Sequence, residues 1–208
     1  MKTLKFISER ALPLLFWIML MLAFDTPTMT FLTICAALTH EIGHIAVMSF
    51  LTKGLLSLPR AVIFGMRLRA DRMLSYKEEA VLAAGGPIIN LLVFFFLIPT
   101  FDNDYAYTFA VLNLLTAISN LIPINGYDGY RILSAFMSRF PNPTLSESIM
   151  SHTSLLFSVF AVFASLFFIL KIGEGYWVFA VFFVILIKDI FKLQSKTNNE
   201  NSGDFGRF

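Results

Sequence analysis

From Ala11 to Leu51 the chain carries only two charged side chains, Asp25 and Glu41. Hydrocarbon offers backbone N–H and C=O groups no partner, so a run this apolar folds as helices that satisfy their own hydrogen bonds. Within it lies His40-Glu41-Ile42-Gly43-His44. A carboxylate and two imidazoles are costly to keep in an apolar span and by default mark a functional site. Histidines four apart stack on one helical face, where both can ligate one metal ion. Glu41 lies roughly 100° around the helix from His40, close enough to act on an activated water without taking a ligand position. The pattern points to zinc-hydrolase chemistry inside a membrane. The bland alternative is two histidines satisfied by helix–helix hydrogen bonds; Glu41 between them and Asp128 downstream argue against it.

Hydrophobic residues make up 57% of the chain and charged ones 14%, too apolar for an ordinary soluble domain. Its 208 residues leave room for about six spans with short loops, but not for an added soluble domain of normal size. Cys35, the single cysteine, excludes an internal disulfide and reads as a small core residue rather than a further ligand. A formal charge of +2 gives no case for nucleic acid. The 24 phenylalanines read as lipid-facing and core bulk.

Six apolar segments can be drawn: Ile7–Phe24, Met29–Leu51, Ala80–Ile98, Tyr105–Pro123, His152–Leu170 and Tyr176–Leu193. The expected fold is therefore an all-α integral membrane domain over 1–193, with a polar, disordered tail over 194–208. The first segment reads as a retained span rather than a signal peptide, since no small-x-small cleavage site follows Phe24. In the loop Thr52–Glu79, Val62, Phe64, Met66 and Leu68 alternate with Ile63, Gly65, Arg67 and Arg69. That period of two suggests a strand or hairpin, either a basic membrane-surface loop or an edge that pairs with an extended substrate.

Basic residues set the expected topology. Lys2, Lys5 and Arg10 precede the first span, six lysines and arginines from Lys53 to Lys77 fill the loop after the second, and Arg131 and Arg139 follow the fourth. Lys188, Lys192, Lys196 and Arg207 lie at or beyond the end of the last, and only Lys171 falls opposite. The positive-inside rule then places both termini in the cytoplasm. The compactness of the chain suggests a bacterial cytoplasmic membrane.

A catalytic zinc usually has three protein ligands and one open position. His152 is the remaining histidine, and Asp128 is the stronger candidate. It follows the fourth span in Asn120-Leu-Ile-Pro123-Ile-Asn-Gly126-Tyr-Asp128-Gly129, where Pro123, Gly126 and Gly129 should break the helix. Broken backbone at membrane depth is tolerated where it lines a buried or wet cavity. The alternative is that Asp128 caps the helix beginning near Gly129. His152 reads as an interfacial residue.

His40-Glu41-x-x-His44 on the second span, followed by Asn120, Pro123, Asp128 and Gly129, resembles the site-2 protease family of intramembrane zinc metalloproteases. Ala84-Gly85-Gly86-Pro87-Ile-Ile-Asn90 is similar to that family's Gly-Pro-x-x-Asn segment. The resemblance covers roughly Thr30 to Leu133, with Tyr127 standing where the family more often has leucine. It implies a three-helix catalytic core formed by the second to fourth spans, about 29–138, and one zinc per chain held by His40, His44 and Asp128. Glu41 would be the general base, and the substrate a membrane-spanning protein. Asn90 and Asn120 would hold substrate or polarise its scissile carbonyl; both also fit a role as interhelical polar contacts. No PDZ-like or CBS module is expected, so the nearest architecture is a compact, sporulation-type bacterial branch stripped of its regulatory domain, which leaves room for a regulatory membrane partner that the sequence does not identify. The rival reading is a zinc-binding membrane scaffold, sensor or transporter that does not cut.

Overall fold

The computed structural model describes residues 18–52, 74–100, 102–173 and 175–204. After helical residues 18–24 come six helices: α1 Pro27–Leu51, α2 Tyr76–Thr100, α3 Asp104–Leu121, α4 Asp128–Met137, α5 Pro143–Ile172 and α6 Tyr176–Asp204. They form two compact units, one through Leu121 and one from Ile122.

In the first unit, local chemistry sets where each helix starts. The Thr26 side chain accepts from the Met29 N–H, and Pro27 opens α1, where its missing N–H has no helical partner to lose. Ser75 and Glu78 form a reciprocal capping box ahead of α2. Asn103 Oδ1 accepts from the N–H groups of Tyr105 and Ala106 at the start of α3. The three helices pack on narrow faces made largely of small residues: Ala36, Gly43, Ala83, Gly85, Gly86, Ala110 and Ala117 are all buried. A Cβ on Gly43 would collide with the Gly85 carbonyl oxygen, so α1 and α2 meet backbone to backbone. Apolar packing gains little over lipid contact, and close approach of this kind is what holds membrane helices together. The outward faces carry large apolar groups such as Phe31, Phe50, Phe95 and Phe96.

In the second unit, α5 begins at a cap from Asn142, whose side chain accepts from the Leu145 N–H, and ends at Gly173 in a left-handed conformation. It packs along α6 through a stripe of Met150, Ser154, Ser158, Ala161 and Ser165.

Three helices are long and apolar enough to cross a membrane: α1, α2 and the Pro143–Lys171 part of α5. The expected six spans are met only there among the described residues. α3 is short and polar, with Asp104, Asn113, Thr116 and Asn120 along it. α6 carries Lys188, Asp189 and Lys192 in its apolar part. Of the first expected span, only 18–24 is described. The strand expected over Val62–Arg69 lies outside the described residues, which contain no strand. α6 continues to Asp204, well into the segment expected to be disordered.

Candidate metal centre

His40 and His44 lie one turn apart on the buried face of α1. Their Nε2 atoms are 3.1 Å apart, and the rings meet edge to face with centroids separated by 4.7 Å. The other nitrogen of each ring is held from outside. His44 Nδ1 lies 2.8 Å from the Leu82 carbonyl oxygen, which can only accept, so this nitrogen carries the proton. His40 Nδ1 lies 3.1 Å from Asn90 Oδ1. Asn90 has no choice of orientation, because its Nδ2 donates to the Ala36 carbonyl at 3.1 Å and to Asn113 Oδ1 at 2.9 Å. Its oxygen must therefore face His40, and His40 Nδ1 is the donor. Asn113 is fixed in turn by Nδ2 donating to the Phe109 carbonyl. With an Nδ1 proton on each ring engaged by this network, the two Nε2 atoms are turned toward each other. Second-shell bonds of this kind set the tautomer and orientation of metal-ligating histidines.

A glycine guards the space in front of these nitrogens. A Cβ on Gly86 would lie 2.6 Å from His40 Nε2 and 2.7 Å from His44 Nε2. Pro87 follows in the same turn of α2, and its missing N–H leaves the Ala83 carbonyl without its usual helical donor. Glu41 is half-buried beside the pair, and none of the described residues engages its carboxylate. Asn120, near the end of α3, is half-buried and donates one amide hydrogen to the Thr116 carbonyl of its own helix. The first unit thus brings together His40, His44 and Asn90. In this structure Asn90 orients a histidine, and the three polar contacts of its amide are all internal.

Asp128 belongs to the second unit. Ile122–Tyr127 forms the break expected from Pro123 and Gly126, whereas Gly129, expected to share in it, lies inside α4 as a buried helical residue. Tyr127 N–H donates to the Ile124 carbonyl at 2.9 Å, and Gly126, at φ 102°, takes the third position that a type II turn gives to glycine. α4 begins at Asp128 itself, so the carboxylate occupies its first turn rather than the cap, which is Tyr127. A negative charge is favoured there by the helix dipole. Asp128 is buried, and Arg131 Nη1 lies 3.2 Å from its Oδ1. Tyr127 stacks on Phe182, and burial pushes its hydroxyl up to about 12. Tyr130 is also raised, first by burial and then by the negative charges of Asp189 and Glu147. His152 is exposed and held by the Ser148 carbonyl of its own helix.

Two imidazole nitrogens and a carboxylate oxygen are a donor set that zinc accepts with a fourth position open. His40 and His44 offer the two nitrogens in the first unit, and Asp128 offers a buried carboxylate in the second. Sequence reasoning missed Asn113 and the Leu82 carbonyl. Asn113 did leave a signal, an amide midway along an apolar helix; a backbone carbonyl leaves none.

No protein-family model and no curated protein sequence matches the chain. A solved structure does: the site-2 protease from Methanocaldococcus jannaschii, at a TM-score of 0.59 and 19% sequence identity, over 86% of this chain and 85% of that one. At that identity the likeness establishes the fold, which is the one the sequence motifs resemble. With the three long apolar helices, it makes this chain an integral membrane protein.

Proposed function

We propose that the chain is a zinc-dependent endopeptidase that cuts membrane-spanning segments of other proteins. His40, His44 and Asp128 hold one zinc per chain, and Glu41 is the general base. One observation carries the reading: two buried imidazoles, each with Nδ1 tied back by a carbonyl-type oxygen, bring their Nε2 atoms within 3.1 Å of each other against Gly86, where a Cβ would collide with both. The fold likeness to a site-2 protease supports it.

A zinc ion at such a donor set lowers the pKa of water toward neutrality and polarises a carbonyl. The remaining work falls to the chain. Glu41, one position along from His40, accepts a proton from the attacking water and returns it to the leaving nitrogen. Leu82 and Asn90 keep the two rings from rotating while charge builds, through Nδ1–H bonds that strengthen as the imidazoles become more positive. Asn120 still has an amide hydrogen and its oxygen to offer a locally unwound substrate backbone, since only one N–H is tied to Thr116. The helical peptide bonds of a substrate are shielded, so cleavage falls near helix-breaking residues.

The test compares purified wild type with Glu41→Gln for bound zinc and for cleavage of single-span substrates in vesicles. Both should carry one zinc per chain, and Glu41→Gln should cleave roughly a thousandfold more slowly. Equal cleavage would overturn the base assignment. Zinc in both with cleavage in neither would favour a non-cutting zinc protein.

A further inference from the structure

α6 buries a carboxylate that the proposed chemistry does not use. Asp189 is 4% exposed, and its Oδ2 accepts from Ser158 Oγ at 2.8 Å and from Ser154 Oγ at 2.6 Å. The second distance is in the range of charge-assisted O–H···O⁻ bonds. A buried charge is costly unless hydrogen-bonded, and here the bonds lead somewhere. Ser154 Oγ, having donated to Asp189, accepts from the Asn125 N–H at 2.7 Å. Asn125 is the second residue of the Ile124–Tyr127 turn, a position whose N–H the turn itself leaves without a partner. Ile124, 0% exposed, fixes the other side of the same turn. The relay Asp189–Ser154–Asn125 therefore ties the turn to the α5–α6 pair, three residues before Asp128.

We infer that Asp189, acting through Ser154, is a positioning residue: it locks the turn that delivers the Asp128 carboxylate. This rests on the zinc-ligand role proposed for Asp128. Ser158 supplies an internal control, because it donates to the same Asp189 oxygen but makes no hydrogen bond to the turn.

The experiment measures zinc affinity by chelator competition, and backbone amide exchange over 122–127, on wild type, Ser154→Ala, Ser158→Ala and Asp189→Asn in detergent. Ser154→Ala should weaken zinc about tenfold, at the low end of outer-shell effects, and should lose exchange protection in the turn. Ser158→Ala should stay within about twofold on zinc and keep that protection. Asp189→Asn keeps an oxygen for the Ser154 hydroxyl and should fall between them. Lost protection in Ser154→Ala with unchanged zinc affinity would overturn the inference and leave the metal site standing. An equal loss of zinc in both serine variants would overturn it as well, pointing to general destabilisation. A wild type that binds no zinc would remove the metal-site reading and this inference together.

Discussion

The polar network of the first unit ends on two imidazoles whose rings it orients, whereas that of the second ends on a backbone N–H that it satisfies. In the first, Phe109 carbonyl, Asn113, Asn90 and His40 hand donors along one line, and His44 hangs from Leu82. That line consists of oriented dipoles, which fix the two rings. In the second, the charge is already inside, on Asp189, and two serines spread it toward a turn. The difference separates two uses of buried polarity. One keeps ligand atoms available, and the other fixes backbone. Substitutions in the first unit should therefore read out directly in metal affinity, and those in the second in local order and only through it in metal affinity.

The largest effect is expected from Gly86→Ala. Alanine is the better helix former, but its Cβ would press on the Nε2 atoms of both His40 and His44. Zinc affinity by chelator competition should fall by about 100-fold or more while circular dichroism keeps the helix content. Unchanged affinity would mean the nitrogens do not face the metal.

Asn90→Leu comes next. It removes the partner of His40 Nδ1 and orphans the Asn113 oxygen and the Ala36 carbonyl. A loss of about 10–100-fold in zinc affinity is expected, measured in the same competition. If instead zinc is retained and only cleavage falls, Asn90 contacts substrate, as the family resemblance alone would suggest.

The smallest effect lies in the second unit and involves no metal. Burial raises the Tyr127 hydroxyl from 10.0 to about 12, so the protonated form is favoured in the folded chain. Its contribution is complete below pH about 10 and is lost as pH rises from there through about 12, a change of order 2 kcal/mol. Thermal unfolding of wild type and Tyr127→Phe across that range should diverge only above pH about 10, with wild type losing stability faster.

The first unit was largely legible because its chemistry is written in residue types. Two histidines and a glutamate in an apolar run have few explanations, and Gly85-Gly86-Pro87 with Asn90 marks a close helix contact. Which amide would orient which ring was not legible, since that depends on the register of α2 against α1, set by the backbone contact at Gly43 and Gly85. In the second unit, Pro123 and Gly126 announced the break before Asp128. Ser154, Ser158 and Asp189 announced nothing: serines are common in apolar helices, and Asp189 sits between Lys188 and Lys192, where it reads as part of a charged helix end. Only packing along α5 and α6 turns these three residues into one cluster.

The most direct measurement maps the bond that is cut. Purified, zinc-loaded chain is reconstituted with a panel of single-span substrates, and the new termini are read by mass spectrometry for wild type and Glu41→Gln. The account expects a terminus inside the apolar segment of at least one substrate, formed by wild type and absent with Glu41→Gln. It would be contradicted by termini that fall only in flanking soluble segments, by a fragment that both proteins make equally, or by a zinc-loaded wild type that cuts no member of the panel.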